Sequence, residues 1–339
     1  MKQHLVTIDT GTTNTRVGLW TAEGSCLGEA KKEVGVRNTA IDGNNEKLKA
    51  AVKECIDELM RKTETPFDSV AAVYASGMIT SNVGLAEIPH LTAPVGVADF
   101  VAGVVSVSMP EIAPLPIHFI PGLKNLASGI TVDTVETMDI MRGEETETIA
   151  LLHQFPLGKP YLFVLPGSHT KFVAIDEQGK MTGCLTSLAG ELLSMLTTQS
   201  ILADAVQRSF VTVADYRPEL VVRGFRTARK TSLARAAFST RIMNQFVTKD
   251  PADCANFLLG AVLESDVAAV KGSDALRLPA GVDVVVTGKE PLRSALAAVF
   301  EEDGSFARVG NIVPEKSLSG YGAYLVAKAR SVFGETKNA

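Results

Sequence analysis

The most constraining feature of the sequence is a strand-turn-strand pattern close to its start. Apolar residues alternate from Leu5 to Ile8 and resume after Arg16, and glycine and small polar residues separate the two runs. This spacing predicts two antiparallel strands joined by a tight turn. Gly11 lets backbone amides approach an anion closely. Small side-chain donors follow it: Thr12, Thr13 and Asn14. The segment also fits an ordinary polar β-hairpin.

A single carboxylate stands at the edge of this turn. Asp9 is the last residue of the first predicted strand. Magnesium keeps most of its water ligands and needs only one or two protein anions beside nucleotide phosphates. The first turn is therefore predicted to bind phosphate, with Asp9 beside the metal ion.

The same pattern recurs about half a chain later. Residues 161–165 and 172–176 have the composition of strands, and the turn between them is small and polar. Two such hairpins predict two similarly built domains, whose turns face each other across a cleft and hold a polyphosphate from both sides. The second turn contains Pro166, Gly167, Ser168, His169, Thr170 and Lys171. Lys171 offers a positive charge and His169 a donor, although either also fits a solvated turn.

The length and charge of the chain agree with this picture. With 339 residues there is room for two domains, predicted here as residues 1–155 and 156–339. A net charge of −5 argues against nucleic acid or an anionic membrane as the main partner. No long apolar run follows the N-terminus, so we expect neither a signal peptide nor a membrane helix, and a cytoplasmic location. Four widely spaced cysteines predict reduced thiols rather than a zinc site.

Two segments between the hairpins are candidates for contacting a second ligand. A loop after the strand at residues 70–75 contains Gly77, Met78, Ser81 and Asn82, and it fits either a ligand loop or an ordinary connection. Farther along, a helix is predicted to begin near Gly143. Acidic residues suit the first turn of a helix. Next to Arg142, however, Glu144 and Glu145 also suit a polar substrate with exchangeable protons.

A third candidate lies near the C-terminus, where an apolar strand ends at Gly288 before a predicted helix. A glycine at this turn lets a flat base lie against the backbone. Other phosphate machinery fits poorly. The sequence has no P-loop motif, its first glycine turn joins two strands rather than opening a helix, and the protein-kinase motifs are missing.

These segments together resemble the actin, Hsp70 and sugar-kinase superfamily. Residues 9–16 look like its first phosphate motif, residues 166–171 like its second and residues 284–288 like its adenosine motif. More narrowly, the chain resembles the 2-dehydro-3-deoxygalactonokinase family. The most specific matches are residues 141–146 and 77–84, with support from residues 120–123, 186–193 and 257–269. The resemblance implies an α/β, two-domain actin-like ATPase fold, of the ribonuclease H-like type, with an interdomain cleft.

The resemblance also implies a reaction. ATP would phosphorylate the terminal hydroxyl of 2-dehydro-3-deoxy-D-galactonate to give the 6-phosphate. By analogy, Asp9 would orient Mg²⁺, and Glu144 would be the base that accepts the hydroxyl proton, with Glu145 as the fallback. Ser81, Asn82 and Arg142 would contact the sugar acid, and Arg142 would take its carboxylate because a guanidinium accepts it bidentately.

The chain departs from the family pattern at a few positions. A tryptophan commonly follows the metal aspartate and the glycine at position 84, whereas this chain has Thr10 and Leu85. Lys289 and Glu290 replace small hydroxyl residues after Gly288. The first two changes bear on the choice of sugar acid, and the third on the nucleotide site.

Two other functions share parts of this pattern. One is a kinase of the same fold that acts on another sugar acid or a polyol. The other is a nucleotide-gated interaction protein of the Hsp70 or actin type, which usually has a further binding domain or polymer-forming insertions that are not visible here. The sequence leaves the oligomeric state open, with a homodimer as one candidate.

Overall fold

A computed structural model describes residues 3–125 and 128–333, which form an α/β structure with two mixed sheets and a small third sheet. The strands are β1 (His4–Thr10), β2 (Thr15–Thr21), β3 (Cys26–Lys32), β4 (Val70–Gly77), β5 (Leu91–Thr92), β6 (Val105–Val107), β7 (Ile117–Phe119), β8 (Leu123–Lys124), β9 (Ile140–Met141), β10 (Tyr161–Leu165), β11 (Thr170–Ile175), β12 (Met181–Ser187), β13 (Asp283–Val286) and β14 (Arg308–Asn311). The helices are α1 (Val36–Asp42), α2 (Glu46–Lys62), α3 (Val97–Gly103), α4 (Glu144–Leu152), α5 (Ala189–Gln199), α6 (Pro218–Lys230), α7 (Leu233–Phe246), α8 (Pro251–Gly272), α9 (Leu292–Asp303) and α10 (Leu318–Ala329).

The two large sheets repeat one topology. The first has the order β3-β2-β1-β4-β7-β6 and the second the order β12-β11-β10-β13-β14. In each, three antiparallel strands come first, and two parallel strands follow the first strand of the hairpin: β4 and β7 in the first sheet, β13 and β14 in the second. The first sheet alone of these two then ends with an antiparallel strand, β6. Both predicted hairpins are present, as β1-β2 and β10-β11. Strand β3 was not predicted, because it is largely exposed and lacks a clear apolar alternation.

Helices cover the sheets and close the cores. Helix α2 packs its apolar stripe against β2 and β3. The longest helix in the described part of the chain, α8, is buried among α5, α6, α7 and α9. No helix within the described ranges is both long and apolar enough to cross a membrane.

The last helix packs on the first sheet rather than the second. Helix α10 contacts α4, β1 and β4. Its Tyr324 donates a hydrogen bond to the Ala22 carbonyl at 2.7 Å and stacks on Trp20 with ring centroids 6.0 Å apart. The predicted division between residues 155 and 156 therefore does not describe where this helix packs, because its apolar face is buried by the opposite half of the chain.

The small third sheet, β5-β8-β9, and the residues next to it cover the edge strand β12 and join the two halves. Val95 and Met181 exchange backbone hydrogen bonds of 3.0 and 2.8 Å. The buried Asn125 side chain donates to the Cys184 carbonyl at 2.9 Å and accepts from the Cys184 amide at 2.7 Å. This cover satisfies an edge strand that would otherwise present free backbone groups.

Candidate active site

Both predicted phosphate turns line one cleft of about 600 Å³. The first turn contributes Gly11 and Thr12, and the second contributes residues 166–169 together with Lys171. The other lining residues come from the loop after β4 and from the segment leading into α4: Met78, Ser81, Asn82, Glu87, His90, Ile140, Met141, Arg142, Glu144 and Glu147, with Leu165 ending β10. The cleft thus joins most of the segments that the sequence singled out.

The first turn is closed by a hydrogen bond of 2.9 Å from the Gly11 amide to the Asn14 carbonyl. The side chains of Thr12 and Thr13 are exposed, and Asn14 donates to the Thr13 hydroxyl at 2.8 Å. These donors lie at the tip of the hairpin, although Thr13 and Asn14 do not line the cleft.

Asp9 lies just behind this turn. Its Oδ2 accepts a hydrogen bond of 3.0 Å from the Ser319 hydroxyl and lies 3.7 Å from Nη1 of Arg16. Burial raises the pKa of Asp9, and the neighbouring carboxylate of Glu144 adds to the increase. Ser319 was not predicted, since nothing in the local sequence of α10 indicates that it reaches the first hairpin.

The second turn has a different distribution of charge. His169 Nε2 lies 3.3 Å from Glu191 Oε2 at the surface, where both side chains are about half exposed. Thr170 is buried in β11. Lys171 is also buried, and its ammonium donates hydrogen bonds to the Ile140 carbonyl at 2.7 Å and to the Thr186 hydroxyl. The Lys171 ammonium, which was predicted to face a phosphate, thus forms hydrogen bonds with protein groups.

Two glycines bring the end of β4 against the start of α4. Gly77 has φ +87°, and a Cβ there would lie 2.6 Å from the Thr10 carbonyl oxygen. Gly143 has φ +111°, and its Cβ would lie 3.3 Å from the Gly77 Cα. Side chains are disfavoured at such backbone angles. The close approach places Glu144 near Asp9 and near the loop of Met78, Ser81 and Asn82, so Gly77 shapes the cleft without lining it.

The two adjacent glutamates at the start of α4 point to different environments. Glu144 lines the cleft, and its Oε2 accepts a hydrogen bond of 3.1 Å from the Arg142 amide. Glu145 is fully buried. Its Oε2 accepts a hydrogen bond of 2.7 Å from the Gly143 amide, while its Oε1 has no partner. Burial, followed by the charge of Glu144, raises the pKa of Glu145 well above its usual value. The geometry favours Glu144 over Glu145 for contact with a bound ligand.

A further carboxylate in the cleft was not predicted. Glu147 lies one helical turn after Glu144 on α4 and lines the same cavity. Burial and the charges of Glu144 and Asp9 raise the pKa of Glu147 to about 8. Its spacing from Glu144, three residues on a helix, was the signal available in the sequence.

The guanidinium of Arg142 is committed to the protein. Nη1 donates to the Thr80 carbonyl at 2.6 Å and to the Thr80 hydroxyl, and Nη2 donates to the Ile88 carbonyl at 2.9 Å and contacts His90 Nδ1 at 3.2 Å. A bidentate grip on a carboxylate would require breaking some of these bonds. The predicted role is therefore corrected: in this conformation Arg142 holds the loop of residues 80–90 in place.

His90 adds a second polar group at this end of the cleft. Burial, followed by the charges of Arg142 and Lys124, lowers the pKa of His90 to about 4. A neutral ring that accepts from Arg142 through Nδ1 carries its proton on Nε2, which is buried without a partner. Sequence reasoning missed both His90 and Glu87, because neither belongs to a local motif.

The turn after β13 lies beside the second hairpin. Gly288 has φ +106°, and a Cβ there would lie 3.1 Å from the Pro166 ring. Lys289 is exposed. Glu290 bonds to Arg293 and accepts from the Ser294 hydroxyl at 2.8 Å, both in the first turn of α9. The bulk of Glu290 is thereby turned toward its own helix.

Comparison with known proteins identifies the relatives of this chain. A family model described as 2-keto-3-deoxy-galactonokinase matches residues 9–317. A 2-dehydro-3-deoxygalactonokinase of Escherichia coli is 28% identical over 271 residues, which cover 80% of this chain and 82% of that protein. A solved structure from Sinorhizobium meliloti, provisionally described as a 2-dehydro-3-deoxygalactonokinase, superposes with a TM-score of 0.74 at 19% identity and covers 96% of this chain and 98% of that one. The superposition on the Sinorhizobium meliloti structure confirms the fold class expected from the sequence.

Proposed function

This chain belongs to the 2-keto-3-deoxy-galactonokinase family, and we propose that it transfers a phosphoryl group from ATP to the terminal hydroxyl of 2-dehydro-3-deoxy-D-galactonate. The single observation that supports the site most strongly is the cleft in which both hairpin turns and Glu144 meet. Phosphoryl transfer needs mainly alignment and charge stabilisation. A cleft lined from two sides by phosphate turns supplies both.

The nucleotide phosphates are proposed to lie between the two turns, against Gly11 and Thr12 on one side and Gly167 and Ser168 on the other. Thr13, Asn14 and Arg16 border the first turn, and Gly288 lies beside Pro166 where the adenosine is expected. His169 stays a proposed contact because it lines the same cleft.

The acidic end of the cleft fits a divalent cation. The pKa of Asp9 and that of Glu147 are both raised, partly by the mutual repulsion of their carboxylates with Glu144, and a cation would relieve this repulsion. In the described residues, no three His, Cys, Asp or Glu side chains are arranged to hold a metal by themselves. Magnesium bound through Asp9 would therefore take its other ligands from water and phosphate, and it would neutralise charge on the transferring group.

Glu144 is proposed to accept the proton of the attacking hydroxyl. Its carboxylate lines the cleft at the start of α4, between the first turn and the acceptor loop. Met78, Ser81 and Asn82 are proposed to contact the sugar acid, and Arg142 to fix their loop through Thr80 and Ile88. Closure of the two halves around the ligands would exclude water that otherwise hydrolyses ATP.

A pair of adjacent substitutions tests the base. Glu144→Gln should lower kcat by roughly 10² to 10⁴-fold and leave the KM values nearly unchanged, because only the proton acceptor is lost. Glu145→Gln should reduce kcat far less, since a buried carboxyl with a strongly raised pKa is replaced by a neutral group of equal size. The measurement is ADP release in the presence of each member of a panel of 2-keto-3-deoxy sugar acids.

The same assay separates the proposed function from its alternatives. Acceleration with the galactonate derivative above all others supports the proposal, and acceleration with another acid or a polyol would reassign the acceptor. ADP release that no acceptor accelerates would contradict a kinase. The surface variant Glu54→Gln serves as the control, because Glu54 is exposed in an ion pair with Lys32 and neither residue lines the cleft.

Two further parts of the proposal have their own tests. The reaction is placed in the cytoplasm, where ATP is available, and fractionation of cells that produce the protein would check this. A homodimer stays a prediction, which light scattering of the purified chain decides.

A further inference from the structure

A buried polar junction connects the second hairpin to the segment that precedes α4. The ammonium of Lys171 donates to the Ile140 carbonyl at 2.7 Å and to the Thr186 hydroxyl, and it lies 4.0 Å from Asp139 Oδ1. The side chains of Lys171 and Asp139 are only 10% and 14% exposed. The junction thus joins β11 of the second half to the Asp139–Ile140 segment of the first half.

Asp139 completes the junction from the other side. Its Oδ1 accepts from the Thr186 hydroxyl at 2.8 Å, and its Oδ2 accepts from the Thr186 amide. The Ile140 amide also donates to Oδ1 at 2.6 Å. Both carboxylate oxygens are therefore bonded, and a buried polar network with satisfied partners is rigid.

The two sides of the junction belong to different parts of the proposed reaction centre. Lys171 and Thr186 face each other across β11 and β12, directly beside the second phosphate turn. Asp139 and Ile140 lie in the segment that continues through Arg142 into Glu144, four positions after Ile140. A displacement of Ile140 would therefore move the proposed base relative to the nucleotide phosphates.

We propose that Lys171, Asp139 and Thr186 are positioning residues that set the distance between Glu144 and the second phosphate turn. The proposal rests on the proposed function, and it replaces the role of Lys171 as a phosphate ligand. Lys171 lines the cleft, while its ammonium donates to the Ile140 carbonyl of the opposite half of the chain and to Thr186 on the neighbouring strand.

Thr186 offers the mildest test. Thr186→Val removes the hydroxyl that bonds to both Lys171 and Asp139, and Thr186→Ser keeps it. We expect Thr186→Val to lower kcat by about 10- to 100-fold, as small misplacements of reacting groups do, with the KM for ATP changed less than about threefold. Thr186→Ser should restore most of kcat. Asp139→Asn should resemble Thr186→Val, and the double variant should be little worse than either, because each single change already breaks the same Asp139–Thr186 contact.

Amide hydrogen exchange gives a readout that does not depend on activity. Thr186→Val should speed exchange in residues 140–146 and leave residues 46–62 of α2 unchanged. Asp57→Asn, which removes a carboxylate from an exposed pair with Lys53 on α2, is the control and should change neither kcat nor exchange in residues 140–146.

Two results would overturn the proposal. Wild-type kcat and exchange in Thr186→Val would show that the junction does not position Glu144. A rise in the KM for ATP at constant kcat would instead make Lys171 and its neighbours nucleotide ligands. If the wild-type chain itself shows no acceptor-dependent ADP release, the proposed function fails, and the exchange measurement still decides the junction.

Discussion

The two hairpins have the same strand-turn-strand arrangement, but different residues face each other near their turns. Asp9 pairs with Arg16 across β1 and β2, whereas Leu165 pairs with Lys171 across β10 and β11. In the first hairpin the cation therefore has a carboxylate directly opposite. In the second it has a leucine, and its charge is neutralised from the other half of the chain by Asp139.

The supports behind the two turns are alike. The amide of Val36 donates to the Gly11 carbonyl at 3.2 Å, and that of Glu191 donates to the Ser168 carbonyl at 3.0 Å. In both places a glycine lets the start of a helix approach the turn: Gly35 before α1 and Gly190 in α5. The same backbone arrangement therefore holds its cation in two different ways: Arg16 lies beside a carboxylate of its own hairpin, whereas Lys171 contacts the other half of the chain.

The largest effect is expected from removing the charge that distinguishes the first hairpin. Asp9→Asn keeps an acceptor for the Ser319 hydroxyl but loses the anion proposed to hold Mg²⁺. Because metal stabilisation of phosphoryl charge is worth several kcal/mol, we expect kcat/KM to fall by at least about 1000-fold. The measurement is ADP release at increasing Mg²⁺, with Asp57→Asn as the exposed control. Unchanged kcat/KM at low Mg²⁺ would show that Asp9 has no role at the metal.

A smaller effect, equal for both hairpins, is expected from closing the space behind the turns. Gly35→Ala places a Cβ 2.5 Å from the Gly11 carbonyl oxygen, and Gly190→Ala places one 2.2 Å from that of Gly167. Each turn must shift, so kcat/KM for ATP should fall about 100-fold in either variant. Gly272→Ala meets no atom within 4 Å and is the control. If one glycine tolerates alanine while the other does not, only the sensitive turn binds the nucleotide.

The hairpins and the start of α4 could be predicted because their signals are local. Strand alternation, a glycine turn and acids after Gly143 all lie within a few residues of one another. The partners that define the roles could not be predicted in this way. Ser319 donates a hydrogen bond to Asp9, which lies 310 positions earlier in the chain. The Ile140 carbonyl accepts one from the Lys171 ammonium, 31 positions later. Arg142 shows the same limit, since its donors are used by the backbone of a loop that the sequence assigned to the substrate.

Glu147 lies between these two cases. Its spacing from Glu144 was visible in the sequence, but its pKa is raised first by burial and then by Glu144 and Asp9, and the fold brings Asp9 close from another element. Local patterns therefore predict which groups line a cleft, and long-range packing decides their charge states.

The smallest expected effect is on the free energy of unfolding. It concerns the strand that pairs with each hairpin, β3 for the first and β12 for the second. Ser187 of β12 pairs with Thr170, as Lys32 of β3 pairs with Thr15. Lys32 forms an exposed pair with Glu54, whereas Ser187 donates to the fully buried Asp266 of α8, whose Oδ2 has no partner. Burial raises the pKa of Asp266 from 3.8 to about 7. The buried side of the second hairpin thus contains a carboxyl that is costly to ionise.

The consequence for stability follows from proton linkage. The folded chain binds the Asp266 proton more tightly than the unfolded chain, so the stability from this group is present at pH 4 and is lost as the pH rises through about 7. Asp266→Asn does not titrate, so its free energy of unfolding relative to wild type should rise by about 2 to 3 kcal/mol between pH 5 and pH 8. Urea unfolding at both pH values measures this. Glu54→Gln should change the free energy of unfolding by less than about 1 kcal/mol, since the Lys32–Glu54 pair is exposed. If the difference in the free energy of unfolding between Asp266→Asn and wild type stays constant with pH, Asp266 is already ionised in the folded chain at pH 5. The carboxylates behind the two hairpins would then be charged alike.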